Sequence, residues 1–411
     1  MSSRFYWDIL QMMSDNYTLT QNISEHQFHH WRNSMKRLML FLFLLIFSIA
    51  NADALPKFGT RQGAKCQSCH INPTGKGMRS TFGSTYGREE LTMAMYKEET
   101  DIEEYSPMLN DFFTIGMDYR TLFYYREQNS TSSFFQMQGD LYLDLRLNKK
   151  FRIYIDKGLY QGFEAFGLAK VLPLEGYIKL GNFIPSYGLK MDDHNLLIRS
   201  GSFFPLNPAI ATYPGGLGFG QGAEDTGLEI GFSPSIFTVN IGLFNGKKGG
   251  IAGTSGTKNK AVVVRADANV QTDLLNFNVG GSLYNLPTAN GLGKTQIIGG
   301  FGVLTLDNNL TLQGEYDILT THHPVLNKMV SGNILYGELN YLLTSGVDLK
   351  LGYEFYDPNI DLLDGSITRF TIGAELFPLT GIEVRPLYRI NQEKPTELKN
   401  NELHVMFHFY L

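Results

Sequence analysis

Residues 137–147 read Met-Gln-Gly-Asp-Leu-Tyr-Leu-Asp-Leu-Arg-Leu, with mostly apolar odd positions and mostly polar even positions. Successive side chains of a β-strand point to opposite faces, so this alternation predicts a strand with one apolar and one polar face. Residues 349–355 and 382–385 alternate in the same way. An apolar face against lipid and a polar interior are typical of a transmembrane β-barrel. On this register charged side chains would line the interior, among them Asp140, Asp144, Arg146, Glu383, Arg385 and Arg389.

The composition of the 411-residue chain fits a barrel in a membrane. Charged residues make up 18%, and the chain has 43 Gly, 22 Tyr and 29 Phe but no long uninterrupted apolar segment after residue 50. Barrel strands alternate in polarity and therefore escape a search for apolar runs. The formal net charge of -5, with acidic and basic residues nearly balanced, argues against nucleic acid as a partner. The alternative fold is a soluble all-β sandwich or propeller.

Residues 111–411 are predicted to form an all-β, antiparallel barrel of about 16 strands, an even number as expected for a single bacterial chain. Tight turns such as 307–309 and 344–346 alternate with connections that are usually longer, such as 183–223 and 358–366. This alternation is typical of periplasmic turns and extracellular loops, and an even strand count would place both termini in the periplasm. The predicted strands are 111–126, 133–147, 150–157, 162–171, 175–182, 224–232, 236–245, 260–271, 275–285, 294–306, 310–321, 332–343, 347–357, 367–377, 382–391 and 401–411.

The beginning of the chain has the form of a secretory signal. From Met35 the sequence has a basic start, an apolar run over 38–49 and small residues suited to cleavage at 50–54. We therefore predict a signal peptide over 35–54, with residues 1–34 as a non-structural extension or a mis-assigned start. The apolar run is short for a transmembrane helix, so an N-terminal membrane anchor is the weaker alternative.

Residues 66–70, Cys-Gln-Ser-Cys-His, contain the only two cysteines of the chain. The spacing is the attachment signature of a c-type haem, in which Cys66 and Cys69 form thioethers with the porphyrin and His70 binds the iron as an axial ligand. A structural zinc site would need a second ligand pair at matching spacing, which the sequence lacks. We predict one covalent haem c on a segment spanning residues 55–110. Helix can form there only within residues 80–105, so the barrel interior must cover most of the haem.

An electron-transferring haem usually takes a second axial ligand from Met or His. Met78, Met93 and Met95 are the nearby candidates, and His404 and His408 are candidates at the far end of the chain. A site left open is the remaining alternative. The longest connection carries Asp192-Asp193-His194, and another predicted outer loop carries His322-His323. Either group is a weak candidate for binding a cation, because acidic loop tips are usually just solvated.

The combination of signal peptide, Cys66-Gln67-Ser68-Cys69-His70 and barrel resembles the fused monohaem cytochrome c-porins of the bacterial outer membrane, some of which are regarded as extracellular iron oxidases. Residues 176–189 are similar to barrels of the phosphate-selective porin type, and 403–411 resemble a C-terminal outer-membrane recognition strand, although the last residue is Leu411. The resemblance implies electron passage across the outer membrane, with Cys66, Cys69 and His70 holding a haem inside the barrel. Its implied partners are outer-membrane lipid, a periplasmic c-type cytochrome and an extracellular electron donor or acceptor, with ferrous iron as one candidate.

Two other functions remain open at this point. The first is a diffusion porin for small solutes or anions, whose haem-bearing segment serves for periplasmic docking or sensing. The second and weaker one is a haem enzyme such as a peroxidase, which would need distal acid and base residues. The sequence contains no such acid and base residues at a fixed spacing from His70.

Overall fold

The computed structural model describes residues 56–93, 107–160, 162–199, 201, 216–220, 222–246, 259–272, 274–287, 293–323 and 327–411. The predicted extension 1–34, the predicted signal peptide 35–54 and Met95 lie outside these residues. No described helix is both long enough and apolar enough to cross a membrane.

Sixteen antiparallel strands form a closed barrel in which each strand pairs with its neighbours in sequence. The barrel closes because the first strand pairs with the last, with Asp118 opposite Tyr410. The predicted all-β fold and strand number are therefore confirmed. The strands are β1 Phe113–Arg126, β2 Thr131–Arg146, β3 Phe151–Gly158, β4 Phe163–Ala169, β5 Tyr177–Phe183, β6 Asp225–Phe232, β7 Phe237–Phe244, β8 Ala261–Gln271, β9 Leu275–Pro287, β10 Lys294–Leu306, β11 Leu310–His323, β12 Lys328–Thr344, β13 Val347–Asp357, β14 Ile367–Leu379, β15 Ile382–Glu393 and β16 Glu402–Tyr410.

One prediction about the connections is wrong. His322 and His323 belong to β11 and not to an outer loop, because β11 and β12 continue their pairing as far as His323 and Lys328. The long strands prolong the hairpin beyond the point where the alternation of polarity in the sequence becomes weak.

The alternation in β2 has the predicted consequence. Asp140 and Asp144 are buried, with 1% and 0% of their surface exposed, whereas Leu141 is 48% exposed on the outer face. The outer face carries many exposed apolar side chains, and Leu351 and Ile372 are two examples from other strands. An apolar outer surface of this kind suits contact with hydrocarbon.

The interior is less uniformly polar than the sequence predicts. Buried aromatic rings point inward from β3 to β7 and form a contiguous apolar cluster, in which Phe183 lies between Phe166 and Phe244 at ring distances of 5.8 and 5.2 Å. Part of the chain folds into the barrel and packs against these rings, so the lining is apolar there. Buried aromatic pairs of this type add to the stability of a core.

Residues 184–199, here called the inward segment, supply much of that packing. Leu189, Leu197 and Ile198 are almost completely buried and belong to the same apolar cluster. The backbone N–H of Leu189 donates to Glu315 of β11 over 2.7 Å, and that of Leu197 donates to Glu354 of β13 over 2.6 Å. The long connection after β5 thus crosses the lumen.

Residues 56–93, here called the N-terminal segment, occupy the barrel at the end of the short turns. They contain three helices, α1 Pro56–Gln62, α2 Cys66–Cys69 and α3 Thr81–Glu89. The prediction that helix forms only within 80–105 is therefore wrong, because α1 and α2 form on the surface of the barrel wall. Arg61 of α1 makes a two-pronged ion pair with Asp348, at 2.9 and 3.0 Å, next to the short turn between β12 and β13.

Candidate functional site

The motif Cys66-Gln67-Ser68-Cys69-His70 folds as a single helical turn. The backbone N–H of His70 donates to the carbonyl of Cys66 over 3.0 Å, which closes the turn and brings the three side chains of Cys66, Cys69 and His70 to one short element. The two cysteines do not form a disulfide. Burial raises the pKa of the Cys66 thiol, so it stays protonated at neutral pH.

The imidazole of His70 is held in one orientation. Its Nδ1 lies 3.3 Å from the carbonyl oxygen of Gly77, and because a carbonyl only accepts, Nδ1 carries the proton and donates. Burial, together with the nearby Arg79, lowers the pKa of His70 to about 4. The ring is therefore neutral at neutral pH and its Nε2 has a lone pair for a ligand. A metal-binding histidine typically has its second nitrogen fixed in this manner.

Glycines allow the backbone to fold tightly around the motif. Gly75 and Gly77 have φ angles of +83° and +67°, which side-chain-bearing residues rarely adopt. Gly83 of α3 lies so close to α2 that a Cβ there would overlap the carbonyl of Cys69. Ser80 caps α3 by accepting from the N–H of Gly83 over 3.1 Å. Helix α2 is thereby pressed against α3.

The barrel wall fixes the loop that follows the motif. Lys179 of β5 is completely buried and reaches Glu229 at 2.7 Å, and its ammonium also donates to Asn72 and Thr74 over 3.2 Å each. On β3, two strands away, the hydroxyl of Tyr154 accepts the N–H of Met78 over 3.0 Å. These contacts connect the N-terminal segment to β3 and β5.

Cys69 and His70 open onto a cavity between the N-terminal segment, the inward segment and the barrel wall. Its empty space is about 1560 Å³, including the part open to solvent. Cys66 lines an adjoining cavity of about 580 Å³. The lining of the larger cavity includes Arg79, Tyr86, Asp118, Tyr142, Lys190, Met191, Asp192, His194, Glu383 and His408.

Most candidate axial residues do not face this cavity with a free ligand atom. Met78 is buried in the apolar cluster and does not line the cavity, and Met93 packs at the short turns, where its N–H donates to the carbonyl of Phe377 over 3.0 Å. His404 and His408 point inward as predicted, and only His408 lines the cavity.

Both ring nitrogens of His408 are already engaged. Nδ1 lies 2.9 Å from Glu383 and Nε2 lies 2.9 Å from Asp118. His404 has its Nε2 at 3.0 Å from Glu402. The roles predicted for these histidines as polar lining fit this geometry better than a role as ligands.

The acidic group of the inward segment forms ion pairs with the barrel wall. Asp192 pairs with Arg385 at 2.7 Å and Asp193 pairs with Arg389 at the same distance. These arginines hold the pKa values of both carboxyls well below the usual range. Among the described residues no group of three or more His, Cys, Asp or Glu side chains is arranged to hold a metal ion. The carboxylates instead attach the inward segment to β15.

The sequence did not single out two cavity residues as haem ligands, although His194 belongs to the group considered there for a cation. Met191 and His194 both line the cavity that His70 faces. Desolvation on burial, with Arg120 nearby, lowers the pKa of His194 to about 3, so the ring is neutral at neutral pH. The sequence did not place His194 in this cavity, because its position depends on the inward folding of a long connection.

The fold resembles that of outer-membrane porins. OmpT of Vibrio cholerae, an outer-membrane protein, superimposes with a TM-score of 0.53 at 13% identity over 73% of this chain and 99% of its own. OprB of Pseudomonas putida gives a TM-score of 0.53 at 13% identity over 79% and 99% of the two chains. An anion-selective porin from Comamonas acidovorans gives 0.50 at 12% identity over 73% and 99%. At such identities the likeness establishes the fold alone. No family model matches the chain, and no curated protein matches it in sequence.

Proposed function

We propose that this chain is an outer-membrane barrel that carries one covalently attached haem c in its lumen and passes electrons between the periplasm and the cell exterior. The arrangement of Cys66, Cys69 and His70 is the observation that carries the proposal. Cys66 and Cys69, which form no disulfide, and a neutral imidazole with an unprotonated Nε2 lie on one helical turn, with Cys69 and His70 at the wall of the larger cavity and Cys66 at the adjoining one. This donor set suits a c-type haem.

Each residue of the motif has a separate task in this proposal. Cys66 and Cys69 attach the porphyrin through thioethers, and His70 binds the iron while Gly77 fixes the orientation of its ring. Met78, considered from the sequence as a distal ligand, packs elsewhere. When bound, the haem supplies a one-electron couple whose potential depends on its axial ligands and burial.

The filled lumen favours electron transfer over diffusion. The N-terminal segment is tied to the wall through Lys57 and Arg61, and the inward segment through Asp193. Both segments occupy space that an open pore would leave to water. The barrel would sit in outer-membrane lipid, with a periplasmic c-type cytochrome at one mouth and an extracellular donor or acceptor, ferrous iron being one candidate, at the other.

The rival function is a diffusion porin with a haem-bearing segment for docking or sensing. Its support is the likeness of the fold to porins such as that of Comamonas acidovorans. The internal segments weaken it, because they narrow the route that a solute would take.

The test begins with protein purified from outer membranes of cells competent for cytochrome c maturation. We expect haem that survives denaturing electrophoresis, and an absorption spectrum that changes on reduction. The double variant Cys66→Ala/Cys69→Ala should lose all covalent haem. Ser68→Ala, which alters one of the two residues between the cysteines, is the matched control and should keep it. Wild-type protein without covalent haem that conducts ions as an open pore in planar bilayers would establish the porin instead.

A further inference from the structure

We infer that His194 of the inward segment is the second axial ligand of the haem iron. This inference rests on the proposed function, in which His70 is the first ligand. It assigns to the inward segment a role in completing the cofactor site as well as in filling the lumen.

The two histidines reach the same cavity from different parts of the chain. His70 follows α2 in the N-terminal segment, and His194 belongs to the connection between β5 and β6. A cofactor in this cavity would be bounded by both segments. If the two axial ligands come from separate segments, the bound haem would link the inward segment to the N-terminal segment.

The residues around His194 are anchored, whereas its ring is not. Asp193 pairs with Arg389 at 2.7 Å, and the carbonyl of Asn195 accepts from Arg369 over 2.8 Å. The imidazole of His194 lies between these two anchors, lines the cavity and forms no hydrogen bond with any residue that the structure describes. A ligand held by its neighbours while its own donor atom stays available is preorganised for binding.

Other side chains that could bind iron are less suited. His408 uses both ring nitrogens in contacts with carboxylates. Met191 lines the cavity, but its side chain also packs against the apolar cluster. Met191 is therefore the competitor that an experiment has to separate from His194.

The experiment compares the spectra and reduction potentials of haem-loaded full-length variants. Wild-type protein should contain a six-coordinate, low-spin haem. His194→Ala should convert it to a high-spin form at unchanged covalent haem content, while Met191→Ala should leave it low-spin. His194→Met should restore a low-spin haem with a higher reduction potential, because a Met ligand raises the potential of a c-type haem. His322→Ala, at the outer end of β11, is the control for the loss of a histidine elsewhere.

The outcomes distinguish the two levels of the proposal. A low-spin spectrum that His194→Ala leaves unchanged, or a high-spin wild-type haem, would overturn the assignment of His194 while keeping the haem. If His194→Ala fails to fold, an unchanged potential in His194→Met would have the same meaning. Wild-type protein without covalent haem would overturn the proposed function itself, and the ligand assignment with it.

Discussion

At the scale of single residues, Gly83 determines how closely α3 approaches the helical turn that carries Cys66 and Cys69. A Cβ at this position would overlap the carbonyl of Cys69, and the clash is with backbone, which cannot turn aside. Gly87 lies one turn later in the same helix, and a Cβ there would make an ordinary contact of 3.5 Å with Tyr410. The two glycines therefore form a matched pair.

We predict that Gly83→Ala loosens the N-terminal segment by about 1–3 kcal/mol, the usual cost of overpacking. Limited proteolysis within residues 56–93 should become about 5- to 150-fold faster, since each 1.4 kcal/mol is a factor of ten. Gly87→Ala should slow cleavage or leave it unchanged, because Ala favours a helix by about 1 kcal/mol over Gly. Equal cleavage rates in the two variants would show that the close approach of α3 to α2 does not limit the stability of the segment.

At the scale of elements, the inward segment carries a buried cation that responds to pH. Burial, together with Arg199 and Arg265, lowers the pKa of Lys190 to about 7. In the unfolded chain the same amine has a pKa of about 10.4. Between these two values the unfolded chain holds a proton that the folded chain lacks, so Lys190 makes the folded state less stable as the pH falls.

We predict that Lys190→Met removes this part of the pH dependence. The stability of the variant relative to wild type should rise as the pH falls from about 10 to about 7, because the folded variant no longer has to accommodate an ammonium in a partly buried site. The measurement is the midpoint of urea unfolding for both proteins at pH 7, 8.5 and 10. Lys149→Met, in the exposed turn between β2 and β3, serves as control, and its unfolding midpoint should change with pH as that of wild type does. If the midpoint of Lys190→Met also changes with pH as in wild type, the lowered pKa of Lys190 is refuted.

At the scale of the whole molecule, short turns lie at one end of the barrel and most long connections at the other. The turn between β10 and β11 covers only residues 307–309, whereas the connection between β13 and β14 covers 358–366. In bacterial barrels the short turns face the periplasm and the long loops face the exterior. The same rule would place the N-terminal segment, which contacts the short turns, on the periplasmic side.

We predict that an epitope inserted at Asp364 binds antibody on intact cells, and that one inserted at Asn308 binds only after the outer membrane is permeabilised. The two insertions control for each other, since both lie in exposed connections of the same barrel. Binding at Asn308 on intact cells would reverse the orientation. The haem segment would then face the exterior, which would separate it from its proposed periplasmic partner.

The sequence by itself determined the barrel. A strand repeats every two residues, so the alternation in stretches such as 137–147 already specifies which face is apolar, and all sixteen strands lie close to their predicted positions. The spacing of Cys66, Cys69 and His70 in the sequence also determined that they lie close together, because a single helical turn brings them to one place.

Only the tertiary structure decided what fills the barrel. The pairing of Asp193 with Arg389 joins residues 196 positions apart, and no local sequence pattern predicts it. The cavity position of His194, the engaged nitrogens of His408 and the burial of Met78 follow from the same long-range packing. Periodicity records the direction of a side chain relative to its own strand. It does not record which distant segment folds into the lumen to contact it.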